Sequence, residues 1–374
     1  MNTFVPLPSW ADLASAAVSA CPTDKELAQP WLKDDNFVLW FSRSAWAMWT
    51  ISEWWKASHD NQAPHVWLPD YFCSQSADLL RETGARLSFY PIGPNLEPHW
   101  ADCRELLTQG PPPDLFFLVH YFGHALDGHA AAAFCQTSGA LLVEDAAHVL
   151  TPANDIGAYG DFIFFSPHKL LPTPDGALLL IRNLDALPDA GKPTEFLSCK
   201  RAQPAWTWIT KRSLQKFAPS WILRNRIQGM PGFDVDLGGA AREPDRDMSK
   251  TGRRLIARYA TKLSGIAAQR KEAAKVWREY FSGAGDGSEP FFDLEEEGPA
   301  PYRFTLKCPD KSSASAHFTS LRQKGIAVET WPDLAPAVTA DPNRHKTAMM
   351  LRDHLLFLPV HGSCTPNAFE DANN

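Results

Sequence analysis

Two acids close an apolar run at LLVEDAAH, residues 141–148. A carboxylate buried at a strand end is costly unless it is paired. Glu144 and Asp145 therefore read either as the caps of a following helix or as groups with a partner of their own. Asp145 could face a pyridinium nitrogen and keep it protonated, which makes the ring an electron sink. His148, three residues on, could then touch a ring hydroxyl. The segment GDFIFFSPHKLLPTPDGALLLI (160–181) carries a second group. Lys169 lies between two apolar runs, and reads either as an exposed loop residue or as a Schiff-base amine held at low polarity. Ser166, at the end of the first run, is placed to donate to a phosphate. At FSRSAW (41–46), Arg43 and Ser44 stand where a strand gives way to a helix. The free N–H groups and dipole of such a helix start favour a phosphate dianion, and a plain N-cap is the alternative. The aromatics of LPDYFCS (68–74), Tyr71 and Phe72 with Cys73 beside them, either stack on a planar ring or fill the core. Neither G-x-x-x-x-G-K-[ST] nor G-x-G-x-x-G is present, which argues against a P-loop or a dinucleotide site.

The elements that must position these residues alternate. FVLWF (37–41), HVWLP (65–69), RLSFYPI (86–92), DLFFLVHYF (114–122), ALLVEDAA (140–147), DFIFFS (161–166) and GALLLIR (176–182) read as strands. Between them, SRSAWAMWTISEWWKAS, SQSADLLRETGA and ALDGHAAAAFCQTSG read as helices. This alternation predicts a mostly parallel sheet covered on both faces, with ligands beyond the carboxyl ends of its strands. All the candidate chemistry falls at strand ends. Residues 230–247 read as a loop or domain crossing. The stretch 248–281 reads as one long helix, or one broken near Gly265. PYRFTLKC, the helix SSASAHFTSLRQKG, the strand IAVETW and LLFLPVH predict a smaller C-terminal α+β domain. The expected division is a large domain over 20–240 and a small one over 241–374, with part of 1–19 packed on the latter.

The 374 residues include 44% hydrophobic ones, enough for a large core. A net charge of −7 with no basic stripe excludes a nucleic-acid partner. Seven scattered cysteines without C-x-x-C read as reduced thiols, and no His/Cys spacing suits a metal. The N-terminus is a poor signal peptide, and no apolar run approaches the roughly 20 residues of a membrane helix. A soluble, cytoplasmic protein is expected.

Taken in order, FSRSA, HVWLPDYF, LVHYFG, LLVEDAAH, IGAYGDFIFFSPHK and DGALLL resemble the DegT/StrS family of sugar aminotransferases, which depend on pyridoxal 5'-phosphate and have the fold-type I architecture. The resemblance covers roughly 37–182, with GIAVETWPDL and LLFLPVH similar to the family's small domain. It implies that Lys169 binds the cofactor and moves the proton, and that Asp145 is the pyridinium partner. It makes His148 a ring-hydroxyl contact where the family commonly has Gln. Ser166, Arg43 and Ser44 become phosphate contacts, and the stacking residue falls near Cys73, beside Phe72. It further implies a homodimer, an amino-acid donor such as glutamate, and a keto acceptor, possibly a nucleotide-linked keto sugar. Two features depart from the pattern. Lys169 follows Ser166 by three positions rather than five, and Ser-x-His-Lys resembles the lysine motif of cysteine desulfurases. The segment Asp245–Ser249 only echoes the family's Asn-x-Arg-Met-Ser. A desulfurase or lyase, and a non-catalytic protein of the same fold, are the alternatives.

Overall fold

The computed structural model describes residues 6–33, 36–182, 203–218, 220–230, 232–234, 245–283, 285–293 and 298–361. Among them, ten strands form two sheets. The larger contains β1 (Phe37–Phe41), β2 (His65–Pro69), β3 (Arg86–Tyr90), β4 (Leu115–Val119), β5 (Leu141–Ala146), β6 (Phe162–Phe165) and β7 (Ala177–Ile181). Their order is β1-β7-β6-β5-β4-β2-β3. Strands β3, β2, β4, β5 and β6 pair in parallel, whereas β7 runs antiparallel to both β6 and β1. The smaller sheet, in the order β10-β9-β8, contains β8 (Glu289–Pro290), β9 (Phe304–Lys307) and β10 (Leu355–Leu358).

The central strands are legible as continuous apolar runs because helices cover both of their faces. Every residue of β2, β4, β6 and β7 is buried, so no polar residue interrupts at period two. One core face gathers Leu39, Phe41, Trp54, Phe117, Phe164 and Leu179. The opposite face gathers Trp31, Trp40, Ile163, Leu178, Leu255 and Ile256.

Several elements differ from expectation. The helix over 248–281 is two helices, Lys250–Ala260 and Leu263–Ser282, and the break falls at Thr261–Lys262. Gly265 lies inside the second helix. The expected strand IAVETW is not one, since only Glu329 bridges to Phe357. Its backbone runs beside β10 too briefly to form a ladder. The SQSADLLRETGA helix splits into a 3-10 turn, Ser74–Ala77, and the helix Asp78–Glu82. The helix Trp10–Val18 packs against Lys250–Ala260, where Asp12 accepts from the Arg258 guanidinium and from the Tyr259 hydroxyl. The expected crossing at 235–244 and the thiols of Cys199 and Cys364 lie outside the described residues. Cys21, Cys73, Cys103, Cys135 and Cys308 are free thiols.

Candidate active site

The carboxyl ends of β2, β4, β5, β6 and β1 share one edge of the sheet, and each candidate residue leaves from one of them. Glu144 and Asp145 both belong to β5 rather than to a helix start. Successive side chains of a strand point to opposite faces, so the two acids separate. Glu144 accepts from His120 Nε2 at 2.9 Å and from the backbone N–H groups of Gly157, Tyr159 and Gly160 at 2.5–2.8 Å. It thus holds the loop that leads into β6. Burial raises its carboxyl, but these hydrogen bonds outweigh burial and keep it below the ordinary value. Its stabilisation is therefore present above the unfolded carboxyl value and lost as pH falls through the lower folded one. Glu144→Ala should destabilise the fold by about 3 kcal/mol at neutral pH, because four donors lose their acceptor. Chemical denaturation at pH 7 and pH 4 should show the difference shrinking in acid.

Asp145 has the other environment. Its Oδ1 accepts the Ala147 N–H at 2.9 Å. Burial pushes its carboxyl up, and the nearby Lys169 charge pulls it down. Lys169 arrives from the short helix Pro167–Leu170 that follows β6, which pairs with β5. Its Nζ lies 3.4 Å from His148 Nε2.

His148 is fixed on three sides. Phe122 occupies a left-handed backbone conformation (φ 56°), which costs a non-glycine residue energy and marks a constrained turn. The turn aims the Phe122 N–H at His148 Nδ1, 3.3 Å away. Nδ1 is therefore the acceptor, and the neutral ring carries its proton on Nε2, the atom facing Lys169. Tyr302 stacks on the imidazole at 4.3 Å, and Phe122 lies beside it at 5.7 Å. Burial, then the Lys169 and Arg303 charges, hold His148 well below its ordinary value. His168 is also held low by burial and by Arg43, and its Nδ1 donates to the Gly176 carbonyl at 3.0 Å.

Ser166 and the 42–44 turn meet across the first residues of β7. The register Phe41↔Ala177 and Phe165↔Leu178 places them on either side of that strand. Gly176 stands between them with φ +132°, and a Cβ there would come within 2.5 Å of Ile256. Glycine is needed for both reasons. Ser42 is an anchor, since its Oγ donates to the Asp245 carbonyl at 2.6 Å and its N–H to the Arg246 carbonyl at 2.8 Å. The segment Asp245–Ser249 closes on this turn, with Ser249 Oγ donating to Asp175 at 3.0 Å. Arg43 turns its Nη1 toward the carbonyls of Ser42 and Pro174. Ser44 opens the helix Ser44–Ser58, and no side chain caps it.

Phe72 and Cys73 follow β2. Phe72 packs edge-on against Phe117 in the core, and Cys73 is half-buried. Their turn is fixed by Asp70, which accepts from His345 at 2.9 Å and from the Ile92 N–H at 3.2 Å. Tyr71 stacks on Trp331 at 4.6 Å. Tyr302, Arg303 and Trp331 were not singled out by the sequence, although Arg303 breaks the apolar pattern of PYRFTLKC much as Asp145 breaks that of LLVEDAAH.

The residues fit pyridoxal phosphate. Ser166 Oγ is a fully buried hydroxyl with no hydrogen-bond partner among the described residues, an arrangement that is costly unless a ligand completes it. It lies across β7 from an uncapped helix start, the combination that receives a phosphate. Asp145 would meet the ring nitrogen, and His148 Nε2–H would meet the ring oxygen. Among the described residues no group of His, Cys, Asp and Glu could hold a metal, and no helix is long and apolar enough to cross a membrane.

The chain has the fold-type I architecture of pyridoxal-phosphate aminotransferases, with a seven-stranded, mostly parallel sheet. Among solved structures it is similar to the aminotransferase TlmJ from Streptoalloteichus hindustanus, with a TM-score of 0.69 and 19% identity over 99% of this chain and 96% of that one. It is also similar to PseC of Helicobacter pylori, an aminotransferase involved in the biosynthesis of pseudoaminic acid (TM-score 0.69, 13% identity, 98% and 95% covered). A third likeness is to the sugar aminotransferase CalS13 from Micromonospora echinospora (0.64, 16%, 100% and 98%). By sequence, the dTDP-4-dehydro-2,3,6-trideoxy-D-glucose 4-aminotransferase of Saccharopolyspora spinosa is 30% identical over 119 residues. That match spans 30% of this chain and 30% of the curated relative. No family model matches the chain.

Proposed function

We propose that this protein is a pyridoxal-phosphate-dependent aminotransferase, moving an amino group from an amino-acid donor, glutamate in the first instance, to a keto substrate. The observation that carries the reading is the buried Asp145 carboxylate beside Lys169, with a neutral histidine donor 3.4 Å from the lysine amine. The cofactor, when bound, supplies a protonated ring that accepts the electron pair left at the donor carbon. Lys169 Nζ would take the proton from that carbon and deliver it two atoms away, beyond the donor nitrogen. Asp145 would hold the proton on the ring nitrogen, His148 Nε2–H would orient the ring oxygen, and Ser166 with the Ser44 helix start would hold the phosphate. A nucleotide-linked keto sugar as acceptor is supported by the sugar substrate in the name of the curated relative.

The desulfurase alternative requires a reactive thiolate. Burial pushes the thiol of Cys103 up to about 12 and that of Cys308 up to about 11, and raises Cys135 as well. Thiols in that range are inert at neutral pH, so these three cysteines take no part in such chemistry.

A homodimer in the cytoplasm belongs to the same proposal. So does a division near residue 240, supported by the separate sheet of β8, β9 and β10. The helix Lys250–Ala260 nonetheless packs on the large sheet, with Leu255 and Ile256 against Trp40 and Leu178.

Titration of the purified protein with pyridoxal phosphate, followed by addition of L-glutamate, tests the reading. Loss of colour on adding glutamate supports transamination, and a protein that stays colourless with the cofactor sinks it. Ser166→Ala should weaken cofactor affinity about 10- to 150-fold, the range for one hydrogen bond to a charged group. Equilibrium titration checks this, and an unchanged affinity would remove Ser166 from the phosphate site.

A further inference from the structure

Gly265 stands inside the helix Leu263–Ser282, where glycine weakens a helix relative to alanine. Packing does not require it, because a Cβ there would meet nothing within 4 Å. The residue lines a cleft of about 700 Å³, a volume that suits a small molecule. One wall is a single face of that helix and its N-cap, since Lys262, Gly265, Ile266, Gln269 and Arg270 recur at helical spacing. Leu170, Leu171 and Pro172, directly after Lys169, form another. Lys216 joins them, its ammonium 5.4 Å from the centre of the Trp10 ring. Leu170 and Leu171 pack on the same core face as Ile163 and Leu178. Asp145 is in register with Phe164, which belongs to the opposite face. The cleft and the candidate cofactor site therefore lie toward different faces of the sheet.

The cleft carries a charge that the fold leaves unanswered. Arg270 is buried, with 2% of its surface exposed. Its Nε and Nη2 donate to the carbonyls of Pro301 and Tyr302 at 2.9 and 2.6 Å, and no carboxylate pairs with it among the described residues. Carbonyls satisfy the hydrogens without neutralising the guanidinium. Burial first, then the Arg303 charge, holds Arg270 down to about 9. A buried charge without a counter-ion is costly. The carboxylate on the cleft wall, Asp12, is already committed to Arg258 and Tyr259, and stands 3.8 Å from Lys262.

We propose that this cleft binds a phosphate monoester of a small molecule, its dianion held by Lys216, Lys262 and Arg270 and its body against Leu170, Leu171 and Ile266. Three cations against one acid call for a dianion rather than a single carboxylate, and lysine ammonium groups serve phosphate as point charges. Gly265 leaves room for the body of the ligand. The site is independent of the aminotransferase reading.

The test is calorimetric titration with phenyl phosphate, inorganic phosphate and phenol. The protein is first loaded with pyridoxal phosphate and freed of the excess, which keeps the probes out of the Ser166 site. Phenyl phosphate should bind at least about 5-fold more tightly than inorganic phosphate, because its ring buries apolar surface, and phenol should not bind. Lys262→Met, at a side chain 49% exposed, should weaken phenyl phosphate at least about 5-fold through loss of a charged contact. Gly265→Leu removes no charge and favours the helix, yet it should weaken the same probe more than about 10-fold by filling the cleft. No binding of phenyl phosphate, phenol binding as tightly, or an affinity unchanged in both variants overturns the proposal. So does an affinity that is lost in Ser166→Ala and kept in Lys262→Met and Gly265→Leu, which would put the probe in the cofactor site. A protein that takes up no pyridoxal phosphate defeats the aminotransferase reading alone, and the same variants, titrated as purified, still decide on the cleft.

Discussion

Lys169→Ala should leave a folded protein that still takes up pyridoxal phosphate but lacks the band at roughly 400–430 nm that marks the cofactor joined to a lysine amine. Transamination should fall by more than about 10³-fold, because in the proposed function the same amine is both the attachment point and the proton carrier. The fold should survive because Lys169 is half-buried, on a four-residue helix, Pro167–Leu170, whose buried contacts come from Pro167 and Leu170. Circular dichroism and thermal melting separate this outcome from unfolding. A small primary amine supplied in solution should restore part of the lost rate, because the site keeps Asp145, His148 and Ser166. A variant that keeps the band would move the attachment point to another lysine and remove the central claim about the site.

The site residues legible in the sequence are those that interrupt apolar runs at strand ends. Asp145 and Ser166 each follow three or more consecutive buried residues of β5 or β6, Lys169 stands three positions past Ser166, and a polar group there stands out by contrast. The two acids of LLVEDAAH could not be told apart by type. Strand alternation separates them, sending Glu144 to the 157–160 loop and Asp145 to Lys169. What was illegible depends on contacts between segments far apart in the chain. His120 meets Glu144 across 24 residues, and Asp70 meets His345 across 275. The Tyr302 ring reaches His148 only because residues 301–303 fold back onto the Phe122 turn, where the Tyr302 N–H donates to the Phe122 carbonyl at 2.7 Å. Trp331 was misplaced for a related reason. Its apolar segment has the composition of a strand, yet it is consumed in packing against Tyr71, Tyr121 and Phe357 instead of in a ladder.

Asp145→Asn should separate stability from function. Asparagine keeps the volume and can still accept the Ala147 N–H, so the sheet edge has no reason to rearrange. Function depends on the charge, because a neutral amide does not keep the ring nitrogen protonated and the electron sink is lost. A fall of about 10²- to 10⁴-fold in the half-reaction with L-glutamate follows, with the visible band retained. The apo protein should respond in the opposite sense. Burial raises the Asp145 carboxyl in the folded state despite the Lys169 charge. A raised folded value means that its contribution to stability is fully present below the unfolded carboxylate range and is lost as pH rises through the folded value. At neutral pH the buried carboxyl therefore weakens the apo protein, and the asparagine variant, free of that penalty, should melt at or above the wild-type temperature. The advantage should narrow as pH falls toward 4. Adding pyridoxal phosphate should reverse the order, since a pyridinium N–H would give the wild-type carboxylate a hydrogen-bonded charged partner in addition to the Lys169 charge. Melting curves at two pH values, with and without cofactor, test each part. An apo variant much less stable than wild type would show that Asp145 is held by the fold rather than by the cofactor, and its assignment to the ring nitrogen would not survive.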